Sequence, residues 1–127
     1  MISQQYGEQS NIEPQRVEPI NLKALQDACG QEGAQELLQI FLDSTAELFL
    51  RMNAANNSKD SKGLKAAAHE MKGACGSVGA NKMAAISRSM ESAALAEDWP
   101  LCGKLVEDLQ SNFRTVKRYC EDILYAG

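Results

Sequence analysis

At 127 residues, with 44% hydrophobic and 6% aromatic side chains, the chain is long enough for one domain with a real apolar core. It abounds in alanine, leucine, glutamate, lysine and glutamine, a balance that favours an all-helical fold. A formal net charge of −4 gives no basic footprint and argues against nucleic acid as a partner. No apolar run approaches the ~20 residues needed to span a bilayer, and the start MISQQYGEQS lacks the charged and apolar regions of a secretory signal, so no membrane partner is expected and the expected setting is the cytoplasm.

Residues 1–19 are polar, hold Pro14 and Pro19, and show no sustained periodicity, which predicts a flexible tail ahead of a helical domain over 20–127. Asn21 is placed to cap a short helix, Leu22 to Cys29, ended by Gly30. A longer helix is predicted from about Glu32 to Asn56, with Leu37, Phe41, Leu48, Met52 and Ala55 on one buried stripe. Leu38, Leu42 and Phe49 widen that stripe toward a second face. Asp60 or Ser61 is a plausible cap for the next helix, which runs to about Gly76 with Leu64, Ala68, Met71 and Cys75 facing inward. Gly76 and Gly79 loosen the chain before a further helix, about Asn81 to Ala96, whose Met83, Ile86, Met90 and Ala94 repeat with helical spacing. Glu97-Asp98-Trp99-Pro100 reads as a turn into the last helix, with proline well placed in a first helical turn. Leu101, Leu105, Leu109, Phe113, Val116, Cys120 and Ile123 form its predicted stripe. Nothing reads as strand. The simplest fold is an all-α, antiparallel up-and-down four-helix bundle with a short additional N-terminal helix over one end.

The cysteines, Cys29, Cys75, Cys102 and Cys120, form no CxxC pair and are expected as buried free thiols. With a single histidine in the chain, a Cys/His metal site is poorly supported, and no metal is expected. The methionines Met71, Met83 and Met90 are expected to fill gaps in the core.

That single histidine, His69, sits in the run Ala67-Ala68-His69-Glu70-Met71-Lys72-Gly73. Imidazole titrates near neutral pH and serves as nucleophile, base or ligand. Each helical residue advances about 100° around the axis, so Leu64, Ala68, Met71 and Cys75 cluster in one direction and His69 lies about 140° away, facing solvent. Lys65 and Lys72 fall between it and the core stripe, and Gly73 and Gly76 flank it on the outer face. Glycine inside a helix costs roughly 1 kcal/mol against alanine, so Gly73 beside the ring suggests that open space is wanted there. A lone surface histidine is most often incidental; the Lys72-Gly73 pair and Gly79 weigh the other way. Lysine ammonium groups stabilise a dianionic phosphoryl group through charge-assisted hydrogen bonds. No Walker-type loop or kinase-like glycine loop is present, so any phosphoryl group has to come from another protein. Lys65 can equally be a solubilising charge, and Glu91 can either serve the site or pair with a surface lysine.

The segment AHEMKGACGSVGA resembles the signature of histidine-containing phosphotransfer (HPt) domains, an Ala-His-x-Leu-Lys-Gly segment followed by a Gly-Ala pair that opens the next helix. His69, Lys72, Gly73 and Gly79-Ala80 match in place, and Met71 stands for the usual leucine, a volume-conserving swap. The resemblance covers roughly residues 20–125 and implies a four-helix bundle with the histidine midway along one helix. It implies His69 as phosphoacceptor at Nε2, Lys72 as neutraliser of the phosphoryl oxygens, Gly73 as the clearance residue and Glu91 as a polar residue that orients the ring. It further implies a phosphoryl carrier rather than an enzyme, accepting from a receiver-domain aspartate and passing to another receiver. The partners would be receiver domains of response regulators and hybrid sensor histidine kinases. No cofactor is expected on this chain, Mg²⁺ being brought by the receiver, and a monomer is favoured. Leu38, Leu42 and Phe49, with Ala66 and Ser77, are candidates for the docking face, though each can instead be covered by the first helix, the reading slightly favoured. Two alternatives stay open. One is a phosphoacceptor module excised from a hybrid or chemotaxis-type sensor kinase; chain length and Met1 favour a stand-alone carrier, although a piece cut from a hybrid kinase would look the same and residues 1–19 fit a linker. The other is a non-phosphorylated receiver-binding adaptor, which has no need of both Lys72 and Gly73.

Overall fold

The structure, a computed structural model, describes residues 18–126. Four helices follow one another, α1 (Leu22–Asn57), α2 (Ser61–Val78), α3 (Asn81–Leu95) and α4 (Trp99–Leu124), and no strand occurs among the described residues. Each helix packs on the next and α4 closes the ring against α1. Connections of two or three residues leave neighbouring helices no choice but to run antiparallel, which makes the up-and-down bundle. No helix among the described residues is long and apolar enough to cross a membrane.

Most of the expected N-terminal tail, residues 1–17, lies outside the described residues. Of what precedes α1, Ile20 is buried in the core and the Tyr119 hydroxyl donates to Glu18 Oε1 at 3.2 Å. Asn21 caps α1, its side chain accepting from the Ala24 N–H at 3.1 Å. The short helix and the long one expected after it form a single span interrupted at Gly30, whose φ of 76° and ψ of 170° are open to glycine and strained for other residues.

The three turns share one closure. Asp60, Ala80 and Asp98 each donate a backbone N–H to the carbonyl five residues back, at 2.8, 2.8 and 3.0 Å. The residue before each of them, Lys59, Gly79 or Glu97, sits at positive φ. This is the left-handed geometry that commonly ends helices. Asp60 and Asp98 then cap the following helices, accepting from Gly63 and Leu101 N–H groups at 3.0 and 3.2 Å. The helix α2 thus ends at Val78, two residues beyond the expected stop, because Gly76 stays helical and Gly79 provides the cap. At the other end of α2, the Ser61 hydroxyl donates to the Ala94 carbonyl at 2.6 Å, tying the start of α2 to the end of α3.

The core is built largely from aliphatic and sulfur side chains. Met52, Leu64, Met71, Met83, Met90 and Leu109 are fully buried, so the methionines fill the centre as their spacing implied. Phe113 of α4 lies against Phe41 and Phe49 of α1, with ring centroids 6.3 and 5.2 Å away. Leu38 and Phe49 are consequently core residues and cannot contribute to a docking face, and Leu42 is half-buried against the same core. Leu101 departs from its predicted stripe and is 42% exposed. Each i, i+4 step slips about 40° around a helix, so Leu101 has turned about 80° from Leu109, whereas Cys102, seven residues away, has turned only about 20°. The buried line of α4 is Cys102, Val106, Leu109, Val116 and Cys120. Three cysteines are buried free thiols as expected; Cys29 is exposed.

Gly79 is the glycine on which the bundle depends most. Its φ is +74°, and a Cβ there would lie 2.7 Å from Asn21 Cβ and 2.8 Å from Asn21 N, which is backbone. Gly79→Ala should therefore lower unfolding free energy by about 2–4 kcal/mol, the sum of a left-handed penalty and local overpacking. Urea denaturation checks this: the midpoint should fall with the slope unchanged.

Candidate functional site

The wheel position of His69 follows from the inward face of α2. Leu64, Ala68, Met71 and Cys75 are all fully buried, which turns the imidazole outward with 69% of its side chain exposed. On the neighbouring α3, Met83, Ser87, Met90 and Ala94 face the core, with the Ser87 hydroxyl satisfied by the Met83 carbonyl at 2.9 Å. Glu91, one residue past Met90, comes out at the seam between α3 and α2, where its side chain is 16% exposed.

This carboxylate binds two residues of α2 at once. Its Oε2 lies 2.9 Å from His69 Nδ1, and its Oε1 lies 2.8 Å from Lys72 Nζ. An ionised carboxylate only accepts, so Nδ1 carries the proton and, in the neutral ring, Nε2 carries the lone pair. Among the described residues no protein group bonds Nε2. Glu91 is held below the ordinary carboxyl value, first by the hydrogen bond from Lys72 and then by that from His69, with burial opposing. Glu91 thus meets a lysine and the imidazole together.

Space beside the ring is open. A Cβ added at Gly73 or at Gly76 would meet nothing within 4 Å. The protein's own packing therefore does not require glycine at either position, in contrast to Gly79. The ring edges an open hollow lined by Lys62, Lys65, Ala66, His69, Glu70 and Glu91. Beneath it Cys75 is no rival nucleophile, because burial pushes its thiol up to about 12. No three His, Cys, Asp or Glu side chains among the described residues converge to hold a metal ion.

A family model described as "Hpt domain" matches residues 36–122, more than half of the chain. The chain belongs to the Hpt domain family. The Hpt domain matches in structure the histidine-containing phosphotransfer protein B (HptB) of Pseudomonas aeruginosa PAO1, with a TM-score of 0.79 and 24% identity, over 88% of this chain and 99% of that one. At that identity the likeness shows the fold. No curated protein matches the sequence. The family's function is phosphorelay histidine phosphotransfer, its members being phosphocarriers that interact with receiver domains.

One feature of this Hpt domain had no signal in the sequence. Arg51 of α1 grips Glu70 of α2 with both guanidinium nitrogens, Nη1 to Oε1 at 2.9 Å and Nη2 to Oε2 at 2.7 Å. The partners are separated by a turn and nineteen residues, so no local spacing rule connects them. The pairing lowers Glu70 below the ordinary carboxyl value, chiefly through the Arg51 hydrogen bond.

A charge-removing Glu91→Gln should reduce stability at pH 7 by about 1 kcal/mol through loss of the charged bonds to Lys72 and His69. The sign of the pH dependence follows from the lowered folded-state value. The contribution is complete above the ordinary value of 4.5 and disappears as pH falls through the lowered one. Urea unfolding of both proteins should thus show a gap at pH 7 that closes once the solution is taken below the ordinary carboxyl value.

Proposed function

We propose that His69 is the phosphoacceptor of this phosphotransfer domain. The observation that carries the reading is the clasp of Glu91 on Nδ1, which leaves an exposed Nε2 as the free nucleophilic edge of the ring. In this reading the Nε2 lone pair attacks the phosphorus of a receiver's aspartyl phosphate. The new N–P bond forms as the P–O bond to the aspartate breaks, and the electron pair leaves with the regenerated carboxylate. The ring gains positive charge as it reacts, and the Glu91 carboxylate already stands beside Nδ1 to stabilise it. Lys72, held on the other oxygen of the same carboxylate, swings to the incoming phosphoryl oxygens. Gly73 leaves the approach clear for the donor's backbone. Return transfer to a second receiver is the same step reversed.

The receivers would be those of response regulators and hybrid sensor kinases, and they would bring the Mg²⁺. The chain itself would carry phosphate in the cytoplasm without turnover chemistry of its own. The exposed Ala66 and Ser77, on the outer face of α2, remain candidates for contact with the receiver. A non-phosphorylated adaptor would have no use for an imidazole whose tautomer is set by a buried-edge carboxylate.

Incubation with receiver domains phosphorylated by acetyl phosphate tests the assignment. Radiolabel should pass to the wild-type chain as an acid-labile, base-stable adduct. His69→Gln should fold normally, since the ring makes its one recorded bond to Glu91, and should take no label. Label that survives acid, or that persists in His69→Gln, would refute it. Gly73→Ala separates stability from function. Its Cβ meets nothing in the free protein, so the variant should gain about 0.5–1 kcal/mol of helix stability. Its transfer from a receiver should nevertheless slow by about tenfold or more, since a misplacement of about 1 Å can cost 10²-fold. Melting curves and single-turnover transfer rates measure the two effects side by side.

A further inference from the structure

Lys62 and Lys65 are exposed and line the hollow beside His69, yet among the described residues neither forms an ion pair. The carboxylates that would neutralise them are engaged elsewhere. Glu70 is gripped by Arg51, and Glu91 is bound by Lys72 and His69. Asp60, the cap of α2, accepts from the Gly63 N–H. Two cations without an ion-pair partner among the described residues, Lys62 and Lys65, therefore line the hollow beside the ring, where both carboxylates, Glu70 and Glu91, are already paired, on a chain whose formal net charge is −4.

The arrangement has a direction. Lys62, Lys65, His69 and Lys72 follow at spacings of three, four and three, within about 80° of one another on the face of α2. The two unpaired lysines lie on the N-terminal side of the ring, within about 10 Å along the axis. On the C-terminal side the same face presents Gly73 and Gly76, where an added Cβ meets open space. The N-terminal half of the face carries two unpaired charges; the C-terminal half carries Lys72, already paired with Glu91, beside bare backbone.

We propose that Lys62 and Lys65 are specificity-determining residues that dock an acidic patch flanking the phosphorylated aspartate of the receiver, while the receiver's uncharged surface closes over Gly73 and Gly76. The proposal rests on the carrier reading, because a partner that reaches Nε2 must also cover the adjoining turn of α2. Charge complementarity supplies the rest: two unpaired lysines beside the ring of an acidic protein favour an anionic partner surface there.

The test compares wild type, the double variant Lys62→Glu/Lys65→Glu and Lys117→Glu, an exposed charge reversal on α4, the helix across the bundle from α2. Phosphotransfer is followed from a panel of purified receiver domains charged with acetyl phosphate, at low and high ionic strength. The double variant should lose about tenfold or more in kcat/KM at low salt, and the deficit should close at high salt, where screening shortens to about 3 Å. Lys117→Glu should transfer like wild type. Labelling of all three by phosphoramidate, a small donor that needs no docking, should be equal, which shows the fold and His69 intact. An unchanged rate and salt dependence in the double variant would overturn the docking proposal while leaving the carrier reading standing. A deficit that is equal at all salt concentrations, or is shared by Lys117→Glu or by phosphoramidate labelling, would also overturn it. If wild type takes label from phosphoramidate and from no receiver, the carrier reading itself fails, and the docking proposal with it.

Discussion

One carboxylate at the seam of two helices organises the reactive face of this protein. Glu91 has two oxygens and uses each on a different residue of α2, so ring orientation, proton position and the resting place of the lysine are set by a single side chain. The bond can form only if α2 and α3 keep their register. That register comes from the tight turn at Gly79 and from the fully buried Met71, Cys75, Met83 and Met90, which lock the facing turns of the two helices. A reactive imidazole on an exposed surface would otherwise lose orientation to side-chain entropy. Here the core fixes the backbone, the backbone fixes Glu91, and Glu91 fixes the ring.

The glycines divide by what surrounds them. Gly79 adopts a left-handed conformation against the backbone of Asn21, so its lack of a side chain serves the fold. Gly73 and Gly76 are helical and face open space; they weaken the helix without any return inside the chain. A local violation of helix propensity that the fold does not explain is most economically assigned to a visitor, in keeping with the tendency of such conflicts to cluster at functional sites. The same logic applies to charge. Arg51 and Lys72 pair with the nearby carboxylates, and Lys62 and Lys65 have no ion-pair partner among the described residues.

How much of this could be read from the chain alone depended on the range of the interaction. Helical periodicity located all four helices, and the inward row Leu64, Ala68, Met71 and Cys75 was legible because α2 has a single apolar face, which in turn placed His69 outward. The caps Asn21 and Asp60 were legible because their partners lie three residues on. Periodicity failed in the first turn of α4, where Leu101 and Cys102 compete for the inward direction and only the packed helix decides between them. It also could not tell whether Phe49 was covered, since the answer lies in Phe113, far along the chain. Glu91 was legible only as a residue that serves the site or pairs with a surface lysine, and its role beside the ring came by resemblance. Arg51 with Glu70 was not legible at all, because nothing local encodes which turns of separate helices come to face each other.

A carrier faces a demand that an enzyme does not: its nucleophile must be accessible to more than one protein and still be chemically ready. Burial would serve readiness, since a low dielectric strengthens every interaction around the ring, but it would exclude the partner. With His69 as the proposed phosphoacceptor, this fold would meet both demands by shielding the carboxylate and exposing the imidazole. Glu91 is 16% exposed while His69 is 69% exposed, so the carboxylate is sheltered at the α2–α3 seam and the ring is not. Under the proposed assignment, a docking receiver would displace the water that remains on the open face, and the low-dielectric environment in which Lys72 and Glu91 act at full strength would be completed only in the complex.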